Sequence, residues 1–248
     1  MGNAVAMPPE AETPALSFPQ RLIDVFISPR EAFEDVARRP GFWAPLITLV
    51  ISAIAVTETM LWKIGAERFM RMSLEQGGQA SKMSPEQLDQ AVSSGAKFTA
   101  IAFHVGAVLG APIFLLIIAG LGILIVNVIF GAQVKFGTVF SLVSYANLVS
   151  LLSSVISLAM MLFGDPEHFN VQNPIPTNPG FFLNANEVSK PLYALASSID
   201  IFPIWIMILL GMSLSEGTGR KVKSSSIFLV FLGLWAVWVL IKIVRAMF

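Results

Sequence analysis

FTAIAFHVGAVLGAPIFLLIIAGLGILIVNVIFGAQV, residues 98–134, fills the 37 positions between Lys97 and Lys135 without one Asp, Glu, Lys or Arg. A helix on the surface of a soluble domain needs a polar face, and this stretch has none, so it reads as a helix solvated by lipid. It is too long for one upright crossing of a hydrocarbon core of about 30 Å, yet it lacks the polar loop that two crossings would need. One long helix over 98–131, kinked or extended around Pro112, is the expectation.

Working outward, the same signal recurs on both sides. Residues 43–62 hold Glu58 as their only charge and are bracketed by Trp43 and Trp62, which suit the two membrane–water interfaces. A third span is expected at 138–163, a fourth at 192–215 with Asp200 inside it, and a fifth at 224–241, closed by Lys242 and Arg245. Composition agrees, since 55% of the 248 residues are hydrophobic, 13% are charged and the mean hydropathy is +0.72. The fold class expected is all-α, a polytopic integral membrane bundle of about five transmembrane helices with short amphipathic helices. The 16 basic residues cancel the 16 acidic ones, which leaves no excess charge for nucleic acid. With no cysteine, disulfides, thiol nucleophiles and Cys-based metal sites drop out.

The connecting pieces sort by type. Residues 1–20 carry Pro8, Pro9, Pro14 and Pro19, lack the basic and apolar regions of a signal peptide, and are expected to be a disordered leader. The rest, 21–248, reads as one membrane domain. SPRE at 28–31 and SPEQ at 84–87 both have capping-box spacing, and each is expected to open a short helix. In the first helix Ala32, Phe33, Val36 and Ala37 oppose Arg30, Glu34 and Arg38, which suits a helix on a surface, of membrane or of protein. Residues 165–190, with six Asn and Gln and four Pro, read as a long polar loop. A cytoplasmic N-terminus puts eight Lys and Arg on each side, so total counts do not orient the chain. The short GRKVK loop at 219–223 against the one-lysine loop at 165–190 favours N-in and C-out.

Four segments together carry a likeness: the SPREAF helix, the RRPGFWAPL approach to the first span, SYANLVSLLSSVISL in the third and IDIFPIWIMILLGMSL in the fourth. Over about residues 21–240 the chain resembles the bacterial branch of the Yip family (Ypt-interacting protein one domain). The resemblance implies a five-span integral membrane protein with a cytoplasmic N-terminus, in the inner membrane if the source is bacterial. Eukaryotic members bind Rab-type GTPases in vesicle traffic and carry Asp-Leu-Tyr-Gly-Pro before the first span. This chain has GFWAPL at 41–46 instead, so the likeness does not carry GTPase binding across.

Chemistry is sparse. The two histidines, His104 in the second span and His168 in the polar loop, are too far apart in sequence for a metal motif, and no GxSxG nucleophile turn or phosphate loop occurs. No catalytic residue, metal or cofactor is expected. What remains is polar groups in lipid, which cost about +2.5 to +3.5 kcal/mol when ionised near a helix centre. Glu58, one turn from Trp62, reads as a boundary residue, and Asn127 and His104 as hydrogen-bonding across helices. Asn147, Ser150, Ser153, Ser154 and Ser157 form a polar stripe, read as a helix–helix seam before a solute path. Ala102, Gly106 and Gly110 make a small-residue ridge suited to a tight crossing. Asp200, followed by Ile201 and Pro203, suits the N-cap of a helix whose apolar part, Ile201–Ser215, spans only about 22 Å. A recessed, structural carboxylate is expected there rather than an ion ligand. The function expected is partner binding or membrane organisation without catalysis, with membrane lipid and another protein chain, or a second copy, as partners. A small transporter or channel using the bundle's polar residues is the alternative.

Overall fold

A computed structural model describes residues 14–76, 78–164, 173–184 and 187–247. Its helices are α1 (Phe18–Ile27), α2 (Pro29–Arg38), α3 (Trp43–Lys63), α4 (Ala66–Gln76), α5 (Pro85–Ile123), α6 (Phe136–Ala146), α7 (Ser150–Phe163), α8 (Lys190–Ala196), α9 (Ile201–Gly217) and α10 (Ser224–Arg245). No strand occurs among the described residues. Four rods are long and apolar enough to cross a membrane: α3, α5 with its π-helical extension to Ile129, α6 with α7, and α10. The α8–α9 pair, bent by 47°, passes the same test only when its two helices are counted as one span, which brings the total to five.

The second span is a single helix, as its sequence demands, but it begins well before residue 98. Ser84 and Gln87 form the capping box, with the Ser84 N–H donating to Gln87 Oε1 at 2.9 Å and the Gln87 N–H to Ser84 Oγ at 3.3 Å. The helix opened there is 39 residues long, not short, and runs through Pro112 before loosening into a π turn at Leu124–Ile129. Its first turns precede that span and pair with α4, where Arg71 bonds Asp89 at 2.6 Å, and the pairing continues into the span, where Phe69 meets Phe103 edge-on at 4.6 Å.

The other SPxE box does not form. Ser28 lies between the two helices, as the C-cap of α1 and the N-cap of α2, so its N–H donates to Asp24 O at 2.8 Å and its side chain caps nothing. A box forms instead at SFPQ, residues 17–20, where the Ser17 N–H donates to Gln20 Oε1 at 2.8 Å, and α1 takes in residues 18–20 of the stretch read as leader. Residues 1–13 of that leader lie outside the described residues.

The apolar stripe of α2 faces protein. Ala32, Phe33 and Val36 are fully buried against α6 and α9. Arg220, in the α9–α10 turn, bonds Glu34 of α2, so that turn lies on the face carrying α1 and α2, the near face. Lys242 bonds Ser197 and Ser198, so the end of α10 and the α8–α9 break share the far face. The centre holds Leu115 and Ala119 of α5, Leu142 and Tyr145 of α6, Leu214 of α9 and Ile227 of α10.

Candidate functional site

The fourth span breaks where two demands meet. Ser197 and Ser198 turn their hydroxyls back onto Ala194 O, at 3.3 and 2.6 Å, which satisfies a carbonyl at the end of α8. Asp200 then starts α9 afresh as its N-cap, Oδ1 accepting the Phe202 N–H at 2.9 Å. This carboxylate is bonded further. Its Oδ2 accepts the Thr177 hydroxyl at 2.5 Å and the Asn178 amide at 3.2 Å. Asn178 is locked in turn to Asn173 by reciprocal amide bonds of 2.9 and 2.8 Å, and both are buried. Gly180 lets that loop press onto α8, because a Cβ there would stand 2.7 Å from the Ser197 nitrogen.

Lys242 of α10 donates to the hydroxyls of Ser197 and Ser198, both at 3.1 Å. Asn178, Ser197, Asp200, Trp238 and Lys242 line one cavity of about 470 Å³. Pro203, Trp235 and Trp238 are shared with a deeper, mainly apolar cavity of about 650 Å³ between α3, α5, α9 and α10. Asn147, Ser150 and Ser154 add its polar atoms, but each turns its side chain onto a carbonyl of its own rod: Asn147 to Val143, Ser150 to Asn147, and Ser154 to Ser150.

Glu58 and His104 meet on the outside of the bundle. Nε2 lies 2.9 Å from Glu58 Oε1 and Nδ1 lies 2.6 Å from Ala100 O. A carbonyl can only accept, so Nδ1 carries a proton. Pairing of this kind is how ionisable groups within transmembrane segments are usually found. Their side chains stay 54% and 55% exposed, and neither lines the two cavities above.

Two expectations need correction. Asn127 does not bridge helices: its amide donates to Val134 O at 3.0 Å and accepts the Val134 N–H at 2.9 Å, which clamps the turn into α6. The ridge of Ala102, Gly106 and Gly110 is exposed, and a Cβ on either glycine would meet nothing within 4 Å, so no crossing within this chain uses it. His168 lies outside the described residues. The sequence also underrated Lys242, read only as the end of a span. Thr177, Asn173 and Asn178 were hidden in a polar loop where nothing in the spacing marks a partner 22 or 23 residues on.

The near face is held by charge. Arg21, buried in α1, bonds Asp35 at 2.6 Å, and its guanidinium lies 5.7 Å from the Tyr145 ring centre. Burial works against that charge, but the bonds from Tyr145 and Asp35 outweigh it and hold Arg21 above its ordinary range. Glu216, only 8% exposed, sits between Arg220 at 2.8 Å and Arg30 at 3.5 Å, and Arg220 reaches on to Glu34 at 3.1 Å. Much of the GTGRK turn is thus a clasp between α9 and α2. Among the described residues no group of three His, Asp or Glu could hold a metal.

These features define a multi-pass helical membrane bundle with a docked amphipathic pair on one face. The Yip1 domain family model matches residues 23–246, and the chain belongs to that family. No curated protein and no solved structure matches it.

Proposed function

We propose that this Yip1-domain protein works without catalysis, as a partner-binding or membrane-organising protein of the trafficking type, with the α1–α2 face cytoplasmic and serving as the docking platform. The observation that carries this reading is that α1 and α2 are docked on the bundle through buried contacts while part of their outer surface stays exposed. Phe33 and the Arg21–Asp35 pair fix α1 and α2 to the bundle, while Ile27 is left 75% exposed and the Arg30 side chain 70% exposed. A surface ordered in advance loses little conformational entropy on binding, so its exposed groups are available for recognition.

A photo-crosslinking residue at Ile27 or Arg30 is expected to give discrete protein adducts in native membranes, and one at Phe182 on the far face to give none. Equal adducts from both faces, or lipid adducts alone, would overturn the platform. The Glu58–His104 contact is the observation that favours a transporter. Its position on the outer surface of the bundle, away from both cavities, argues against a path through the protein. Proteoliposomes are therefore expected to show no flux of ions or small solutes that depends on Glu58 or His104.

A further inference from the structure

We propose that the far-face cavity and the apolar chamber that shares the walls Pro203, Trp235 and Trp238 with it form one binding site for a phospholipid with an ammonium-bearing headgroup, phosphate at Lys242, ammonium at Asp200 and acyl chain in the chamber. The inference stands independently of the docking platform.

The polar atoms set the headgroup. An ammonium group has three donors, and Lys242 uses two of them on Ser197 and Ser198, whose own protons are turned to Ala194. One Lys242 donor is left for a phosphate oxygen. Of the lone pairs of Asp200, Oδ2 gives two to Thr177 and Asn178, and Oδ1 gives one to the Phe202 N–H. One acceptor position remains on Oδ1 for an N–H donor. Among the described residues Lys242 and Asp200 do not close on each other, although they line the same cavity. A site offering one cationic donor and one anionic acceptor complements a zwitterion and disfavours a headgroup with phosphate alone.

The chamber behind sets the tail. At about 650 Å³ it is within the range of about 300–1,000 Å³ usual for a ligand pocket. Leu49, Leu115, Met207 and Phe231 line it from within, while Phe114, Leu234 and Trp238 on its wall are themselves exposed. Exposed wall residues on α5 and α10 open the chamber sideways, toward the bilayer, so a chain can enter without leaving the membrane. Trp235 and Trp238 form walls of both cavities, the position an amphipathic ring takes between headgroup and chain.

The test is native mass spectrometry of the full chain in detergent, titrated with dioleoyl phosphatidylethanolamine and with dioleoyl phosphatidylglycerol. Phosphatidylethanolamine is expected to bind one to one and about tenfold more tightly, the worth of one charge-assisted bond. Asp200→Asn keeps the cap and should bring the two lipids level. Lys242→Gln should weaken both by about tenfold. Free phosphoethanolamine should not displace the lipid. Equal binding by the wild type, a preference for phosphatidylglycerol, retention of the preference by Asp200→Asn, or displacement by the free headgroup would each overturn the proposal. If a variant fails to fold, the wild-type ranking and the free-headgroup competition decide it.

Discussion

Asp200 shows how much one side chain can be asked to do at a break in a span. Its carboxylate starts α9, holds the loop at Thr177 and Asn178, and faces a cavity shared with Lys242. Asp200→Asn keeps one oxygen for the Phe202 N–H but puts an NH2 group where Oδ2 accepts from Thr177 and Asn178, so its unfolding midpoint in detergent should fall, though by less than that of Asp200→Ala. Asp200→Ala loses the cap, worth about 1 kcal/mol, and leaves the Thr177 and Asn178 donors without an acceptor, worth about 1–3 kcal/mol more. A normal midpoint for Asp200→Ala would show that the cap carries no weight. Asp35 has a comparable role on the near face. Asp35→Ala strands the buried Arg21 guanidinium, a loss of about 3 kcal/mol. Limited proteolysis should then cut within residues 17–39 before the rest of the chain, while exposed Glu31→Ala should leave that segment as resistant as in the wild type. The cap was legible, because Asp followed by a helix with Pro in its first turn is a local signal. The partners of the cap were not, since a contact across 22 residues of polar loop leaves no periodic trace.

At the scale of elements, lipid inverts the ordinary inference from small residues. Ala102, Gly106 and Gly110 form a ridge that looks like a packing face, and the spacing was read correctly as one side of α5. Spacing gives the side but not what lies against it, because lipid and protein are equally apolar. The close approach is at Gly211 instead, where a Cβ would stand 2.7 Å from Ser224 O and 3.1 Å from the Phe228 Cβ. Gly211→Ala should therefore lower stability by about 1–3 kcal/mol through forced separation of α9 and α10, despite the helix preference of Ala. Gly106→Ile should match Gly233→Ala, since neither glycine has a neighbour within 4 Å. Thermal unfolding of the purified monomer in detergent checks both, and a large loss for Gly106→Ile would restore the ridge as a contact. The spans themselves were legible to within a residue or two at 43–62 and 138–163, because charge-free length is a direct reading of lipid thickness. The extension of α5 back to Pro85 was not, because those turns are stabilised by α4 rather than by lipid.

At the scale of the whole molecule, five crossings, with α8–α9 counted as one, would place α1 and the end of α10 on opposite faces, and the clasp between Glu34, Glu216 and Arg220 fixes which segments share a face. Ala15, just before α1, must lie with the α9–α10 turn, and the loop before α8 must lie opposite. Asn173 is a poor reporter of that loop, being buried against Asn178, whereas Ser189 is exposed. Single cysteines at Ala15, Ser189 and Ser225, placed in this cysteine-free chain and treated with an impermeant thiol reagent on intact cells, separate two claims. With the near face cytoplasmic, only Ser189→Cys should label. Labelling at Ala15 and Ser225 but not at Ser189 would keep the fold and reverse the orientation. Labelling at Ala15 together with Ser189 would break the rule that α1 and the loop before α8 lie on opposite faces. One of the three rods between them, α3, α5 or α6 with α7, would then fail to cross the membrane, and the far-face cavity would open on the side of α1.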